Sequence, residues 1–160
     1  PLAIGLAAST RVGNLLGEKR YIDARYSSKV SLSLCFIGAL FNMTLLITLG
    51  DKLISLYTKD LLVYSVASHL IIFAAIFQIP DGIGMGSLGA LRGYKDTFMT
   101  MVFIIIAYWV FAIPFGYYLT YYGINQPMGE SGMWISMILG LTIFASLISR
   151  RLIKISGQYL

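Results

Sequence analysis

Charge is scarce in this chain: Asp, Glu, Lys and Arg together make up 12% of its 160 residues, about half the roughly 25% usual in soluble globular domains. Cysteine and histidine occur once each, as Cys35 and His69. A lone cysteine excludes a disulfide framework and a thiolate metal site. With one imidazole, one thiol and no pair of acids inside an apolar run, neither a metal cluster nor a nucleophile–base pair can be assembled. The sequence therefore points away from an enzyme, and no cofactor is expected. The alternating segments of about ten residues that build a transmembrane β-barrel are missing. So are the basic n-region and cleavage site of a signal peptide. The chain opens on Pro1 within an apolar run, and the expectation is a fragment whose N-terminal part is absent.

Apolar residues are what the chain has in excess. They make up 58% of it, with a mean hydropathy of +0.78. Val30–Gly50, Leu61–Leu91, Phe98–Tyr122 and Ser131–Ser149 are each long enough to cross a bilayer, which takes about 20 apolar residues. A shorter apolar stretch, Pro1–Leu16, carries Arg11. The class is all-α: a polytopic transmembrane helix bundle in contact with the lipid bilayer. The net charge of +5 does not indicate nucleic acid, because the basic residues lie in short clusters between spans. Strict alternation of the spans places Arg11, Lys19, Arg20, Arg25, Lys29, Arg92, Lys95, Arg150, Arg151 and Lys154 toward one face. Only Lys52 and Lys59 fall on the other. By the positive-inside rule the first face is cytoplasmic, and so is the C-terminus.

The expected helices cover approximately 1–17, 29–49, 61–91, 98–122 and 131–149, joined by a basic loop at 18–28, outer turns at 51–60 and 123–130, and the inner turn Arg92–Thr97. Connections this short join antiparallel neighbours, so the spans form one bundle. Tyr117, Tyr118, Tyr121 and Tyr122, with Trp134, read as an interfacial aromatic belt. Gly84-x-Gly86-x-x-Gly89 has the form of a dinucleotide fingerprint but lies inside an apolar helix with no strand before it. The better reading is close helix packing through Gly82/Gly86, Gly89/Gly93 and Gly13/Gly17, each a small-xxx-small pair. Asn42-Met43-Thr44 has the pattern of a glycosylation sequon but sits within a span.

One carboxylate, Asp81, interrupts the longest apolar stretch. An acid at the centre of a membrane helix costs roughly 2.5–3.5 kcal/mol even on lenient scales, and such residues mark ion, proton or substrate sites. A helix over 61–91 would reach about 46 Å, longer than a ~30 Å hydrocarbon core, so it must tilt or bend. Pro80 removes a backbone donor and offers the bend, helped by Gly82 two residues on. Asp81 lies about 16 Å from Arg92, close to the midplane. The apolar surround disfavours the ionised carboxylate and brings protonation, or displacement of a proton by a cation, within reach. Phe77 and Gln78 occupy the preceding turn. Gln78 shares a helix face with Asp81 and offers an oxygen to a cation or a hydrogen bond to a neighbouring helix. His69, three turns away, reads as structural.

These residues resemble the C-terminal half of multidrug and toxic compound extrusion (MATE) transporters, in their bacterial NorM-like branch. The stretch from Pro1-Leu2-Ala3-Ile4-Gly5 to Thr10-Arg11-Val12-Gly13-Asn14-Leu15-Leu16-Gly17 is similar to the end of that family's eighth helix. Phe77-Gln78-Ile79-Pro80-Asp81 resembles the acidic site of the tenth, and Leu91-Arg92-Gly93-Tyr94-Lys95-Asp96-Thr97 the loop that follows. Tyr108-Trp109-Val110 with Ile113-Pro114-Phe115-Gly116-Tyr117 resembles the eleventh helix; Gly132-Met133-Trp134 with Gly140-Leu141 resembles the twelfth. The resemblance implies twelve helices in two lobes, alternating access, and residues 1–160 as five helices of the C-terminal lobe, without the N-terminal lobe. It implies export of cationic amphipathic drugs coupled to entry of Na⁺ or H⁺, with Asp81 as the ion-coupling residue, in a bacterial inner membrane. Two features depart from the family: its acidic partner in the seventh helix lies outside these residues, and Phe77 stands where relatives carry tyrosine. The alternatives are a lipid-linked oligosaccharide flippase, which calls for mid-depth basic residues, and a membrane-embedded enzyme completed by other segments.

Overall fold

A computed structural model describes residues 1–124 and 126–159. Five helices follow one another: α1 (Leu2–Gly17), α2 (Tyr21–Tyr57), α3 (Leu61–Gly93), α4 (Thr97–Tyr121) and α5 (Glu130–Gln158). The last four are long and apolar enough to cross a membrane. Their outward faces carry large apolar side chains, with Trp109 68% and Phe41 67% exposed, a surface suited to lipid rather than water.

The helices run longer than hydropathy alone indicates. α2 begins at Tyr21, inside the expected loop 18–28, and continues to Tyr57 through the expected outer turn. α5 runs past Ser149 to Gln158. Hydropathy locates the span, whereas a helix continues into the polar zone for as long as its backbone stays paired. What remains between helices is short. Asp60 caps α3, its Oδ1 accepting from the Leu62 N–H at 2.8 Å, while Thr58 Oγ1 accepts from the Asp60 N–H at 3.1 Å.

The α1–α2 and α3–α4 turns share one geometry. Arg20 N–H donates to the Leu15 carbonyl and Lys19 N–H to that of Leu16; Asp96 N–H donates to Leu91 and Lys95 N–H to Arg92. These are the paired bonds of a Schellman-type C-cap, normally completed by glycine in the left-handed region. Here lysine takes that place twice, at φ 60° for Lys19 and 62° for Lys95.

Contacts at the two ends establish the antiparallel order. At the basic end Arg151 Nε meets Asp96 Oδ2 at 2.6 Å, and the Tyr159 ring packs at a tilt against both Tyr21 and Tyr94. At the other end His69 Nε2 and Ser131 Oγ lie 3.3 Å apart. α3 is central, packing against α1, α2 and α5, while α4 leans on α5. The core gathers in the basic half of the bundle, around Val12, Leu88, Leu91, Phe144 and Ile148.

Backbones approach at the glycines. A Cβ on Gly82 would meet the Cys35 carbonyl oxygen at 2.8 Å, and one on Gly93 the Ser9 carbonyl oxygen at the same distance. Gly86 faces Leu32 and Cys35, and Gly89 lies directly on the backbone of Gly5. The small faces of α3 thus receive α2 on one side and α1 on the other. In the Gly13/Gly17 pair only Gly13 approaches another helix, at 3.8 Å from Gly93; nothing lies within 4 Å of a Cβ on Gly17.

α4 is not a uniform α-helix. Its central residues Ile105–Ala112 form a π-helix between α-helical ends. Pro114 follows at the start of the next α-turn and has no N–H to give a preceding carbonyl. Two residues before it, the Ala112 carbonyl accepts a bond from the buried Ser136 hydroxyl of α5.

Candidate functional site

Asp81 lies on α3 half-buried, at the wall of a cavity of about 140 Å³ between α3, α4 and α5. Gly84, Met85 and Leu88 follow it along the same face of α3; Leu141 and Phe144 close the cavity from α5, and Ile104 and Tyr108 from α4. Each lining position follows from helical spacing, since residues three, four and seven positions after Asp81 share its face. Gly84 keeps the wall open, because a Cβ there would press on the Phe144 ring at 3.2 Å.

None of the ion pairs among the described residues involves Asp81; they join Arg20 to Glu18 and Asp23, and Arg151 to Asp96. No Lys or Arg lines the cavity. Among the described residues, then, the carboxylate faces a chamber otherwise lined by apolar side chains and by Tyr108. At that volume the chamber admits a few waters, each needing about 30 Å³.

The other expected site residues are placed differently. Phe77 turns toward α5, where its ring meets Trp134 edge-on with centroids 6.3 Å apart. Trp134, half-buried, packs on that ring. The tyrosines do form exposed pairs along α4, Tyr117 on Tyr121 and Tyr118 on Tyr122. Gln78 is half-buried and does not line the chamber. Pro80 and Gly82 are buried within α3, which continues through both without interruption. His69 packs against Phe73 and Ser131 near the end of the bundle, away from Asp81.

Of the lining residues that the sequence does not single out as part of the site, Tyr108 is the one with a polar tip. It sits in the π segment, with its ring against Phe144 at 6.4 Å between centroids. An isolated polar-tipped residue in an otherwise apolar run was the available signal, but the face it presents depends on a turn width that the sequence does not announce. Three wider grooves lie elsewhere. One, about 320 Å³ between α1 and α2, is lined in part by Arg11; a second, about 370 Å³, runs past Pro80 and Ser146 and contains no ionisable group; the third, about 340 Å³, lies at the α1–α2 turn beside Lys19, Asp23 and Tyr159.

The MatE family model matches residues 1–118. Probable multidrug resistance protein NorM of Bacillus cereus is 36% identical over 159 residues, which is 99% of this chain and 34% of that protein. Multidrug resistance protein NorM of Vibrio vulnificus is 41% identical over 153 residues, 95% of this chain and 34% of its own length. Multidrug resistance protein PmpM of Pseudomonas aeruginosa is 33% identical over 161 residues, with the same 34% covered. The chain thus spans about a third of the length of these relatives. Among solved structures, the eukaryotic MATE transporter AtDTX14 superposes with a TM-score of 0.88 at 22% identity, covering 99% of this chain and 36% of that one. An inward-facing multidrug resistance MATE transporter gives 0.80 at 14% identity, over 96% and 36%. At those identities the two structures speak for the fold.

Proposed function

The chain belongs to the MatE family, and from that premise we propose that it is part of a secondary multidrug efflux antiporter. In this reading it contributes five helices of the C-terminal lobe of a twelve-helix carrier, which exports cationic amphipathic drugs against entry of Na⁺ or H⁺. The carrier sits in the bacterial inner membrane with the C-terminus of this chain in the cytoplasm, as the gathering of basic residues at one end of the bundle supports.

The observation that carries the proposal is the unpaired carboxylate of Asp81 on the chamber between α3, α4 and α5. In the outward-open state Asp81 takes up Na⁺ or H⁺. Neutralising it removes the cost of an ionised group in an apolar wall. α3 then flexes near Pro80 and Gly82, the chamber closes, and the hold on a cationic drug weakens. Such an ion drives the cycle only by binding one state better than the other, and a group whose charge is tolerated differently in open and closed states provides that difference. Aromatic and methionine side chains suit bulky apolar cations, through contact and cation–π attraction.

The test uses the complete transporter in vesicles, with efflux of a fluorescent cationic dye followed under a Na⁺ gradient and separately under a pH gradient. Asp81→Asn is expected to abolish gradient-driven efflux, and the gradient that drives the wild type identifies the ion. Efflux unchanged by the substitution would remove Asp81 from the mechanism.

A further inference from the structure

Tyr108 and Asp81 face one chamber from different helices. The remaining lining side chains, those of Met85, Leu88, Ile104, Leu141 and Phe144 with Gly84, carry no oxygen. A small hard cation sheds water only in exchange for oxygen ligands, and in this chamber the side-chain oxygens are those of Asp81 and the Tyr108 hydroxyl. Phe77, a turn before Asp81, supplies none and is turned toward Trp134.

The backbone around Tyr108 is itself unusual. Ile105–Ala112 is π-helical, a rare geometry that in short stretches recurs at functional sites. Widening the turn changes which face of α4 a residue presents, and here it is the face with Tyr108 that meets the chamber. The ring is held against Phe144, and Ser136 on α5 bonds the Ala112 carbonyl at the end of the segment. Both contacts tie the position of Tyr108 to α5, which forms the opposite wall.

We propose that Tyr108 is a ligand of the Asp81 site: its hydroxyl oxygen coordinates a monovalent alkali cation, of the size of Na⁺, together with the Asp81 carboxylate. The inference rests on the ion-coupling reading of Asp81 and adds a selectivity element to it. A bound proton needs only the carboxylate, whereas a dehydrated cation needs the second oxygen. Loss of the hydroxyl therefore weakens the cation more than the proton.

The experiment compares wild type, Tyr108→Phe and Asp81→Asn in the complete transporter. Na⁺ affinity is measured calorimetrically at alkaline pH, and dye efflux is measured under a Na⁺ and a pH gradient. Tyr108→Phe keeps the ring and its packing, and its melting temperature without Na⁺ is expected to match wild type. Its Na⁺ affinity is expected to fall about tenfold or more, as for loss of one contact to a charged group. The rise in melting temperature on adding Na⁺ shrinks accordingly, and pH-driven efflux persists. Asp81→Asn loses both couplings. Wild-type Na⁺ affinity in Tyr108→Phe overturns the assignment of Tyr108 while leaving Asp81 in place, as does an equal loss of Na⁺- and pH-driven efflux. Wild-type behaviour of Asp81→Asn overturns the coupling reading itself, and absence of Na⁺ binding by the wild type overturns the cation site.

Discussion

Asp81 is expensive to keep. It has no ion-pair partner among the described residues, and a carboxylate held in apolar surroundings destabilises the fold that carries it. In the antiport reading proposed above, the same cost makes the residue responsive to an ion. Asp81→Asn should therefore raise the melting temperature of the ion-free protein even as it removes coupling. The gain is bounded by the roughly 2.5–3.5 kcal/mol cost of an acid at a helix centre and reduced by partial exposure to the chamber. Thermal unfolding in detergent at alkaline pH without Na⁺ checks this; a lower melting temperature would mean that a hydrogen-bonding partner already holds the carboxylate. At this scale the sequence is most legible where chemistry is out of place. An acid within Leu61–Leu91 identifies itself, whereas Gln78, polar but uncharged, has no such penalty and its spacing from Asp81 did not bring it to the chamber. Tyr108 escapes notice because tyrosines are ordinary in membrane helices, and the chain has eleven.

Among the helices, α4 shows what a one-dimensional pattern leaves out. Its span is plain from hydropathy, and the expected 98–122 lies within a residue of Thr97–Tyr121. Its internal geometry is not plain, because a run such as Ile105-Ile106-Ala107 is equally apolar in either helical form and only Pro114 hints that a backbone donor is missing. The bond from Ser136 to the Ala112 carbonyl fixes the junction where the π segment returns to α-helix. Removing it with Ser136→Ala leaves a buried carbonyl with one partner fewer. Interhelical side-chain bonds in membranes average about 0.6 kcal/mol and reach about 1.7, so a loss within that range is expected. A matching fall in melting temperature would show it. The same substitution should weaken Na⁺ binding if the junction holds Tyr108 in place, and an unchanged melting temperature would show that the carbonyl is satisfied within its own helix. α3 makes the complementary point. Pro80 lies inside α3, which stays helical on both sides of it, since a proline removes one donor while neighbouring turns and packed helices hold the rest.

The whole bundle is assembled on glycine faces rather than on a hydrophobic drive, because lipid tails are as apolar as leucine and association must come from close packing. Gly82/Gly86 and Gly89/Gly93 are legible in the sequence and do carry the contacts of α3 with α2 and α1. Gly13/Gly17 has the same spacing but is packed at Gly13 alone, because α1 ends at Gly17 and turns away before reaching a neighbour. Spacing marks a face that permits approach; only the fold decides whether another helix uses it. A pair of substitutions separates the two cases. A Cβ on Gly89 falls on the backbone of Gly5, and one added to Gly5 would in turn meet the Met85 carbonyl oxygen at 2.9 Å. Backbone cannot rotate aside as a side chain can, so Gly89→Ala must push α1 away from α3 and loosen the core around Val12 and Leu91, at a cost of about 1–3 kcal/mol. Gly17→Ala meets nothing and gains helix propensity, up to about 1 kcal/mol. Melting temperatures of the two variants in detergent should move in opposite directions from wild type. If Gly89→Ala melted with Gly17→Ala at or above wild type, α1 would not be pinned to α3. The chamber of Asp81 would then have to be held by α3, α4 and α5 alone.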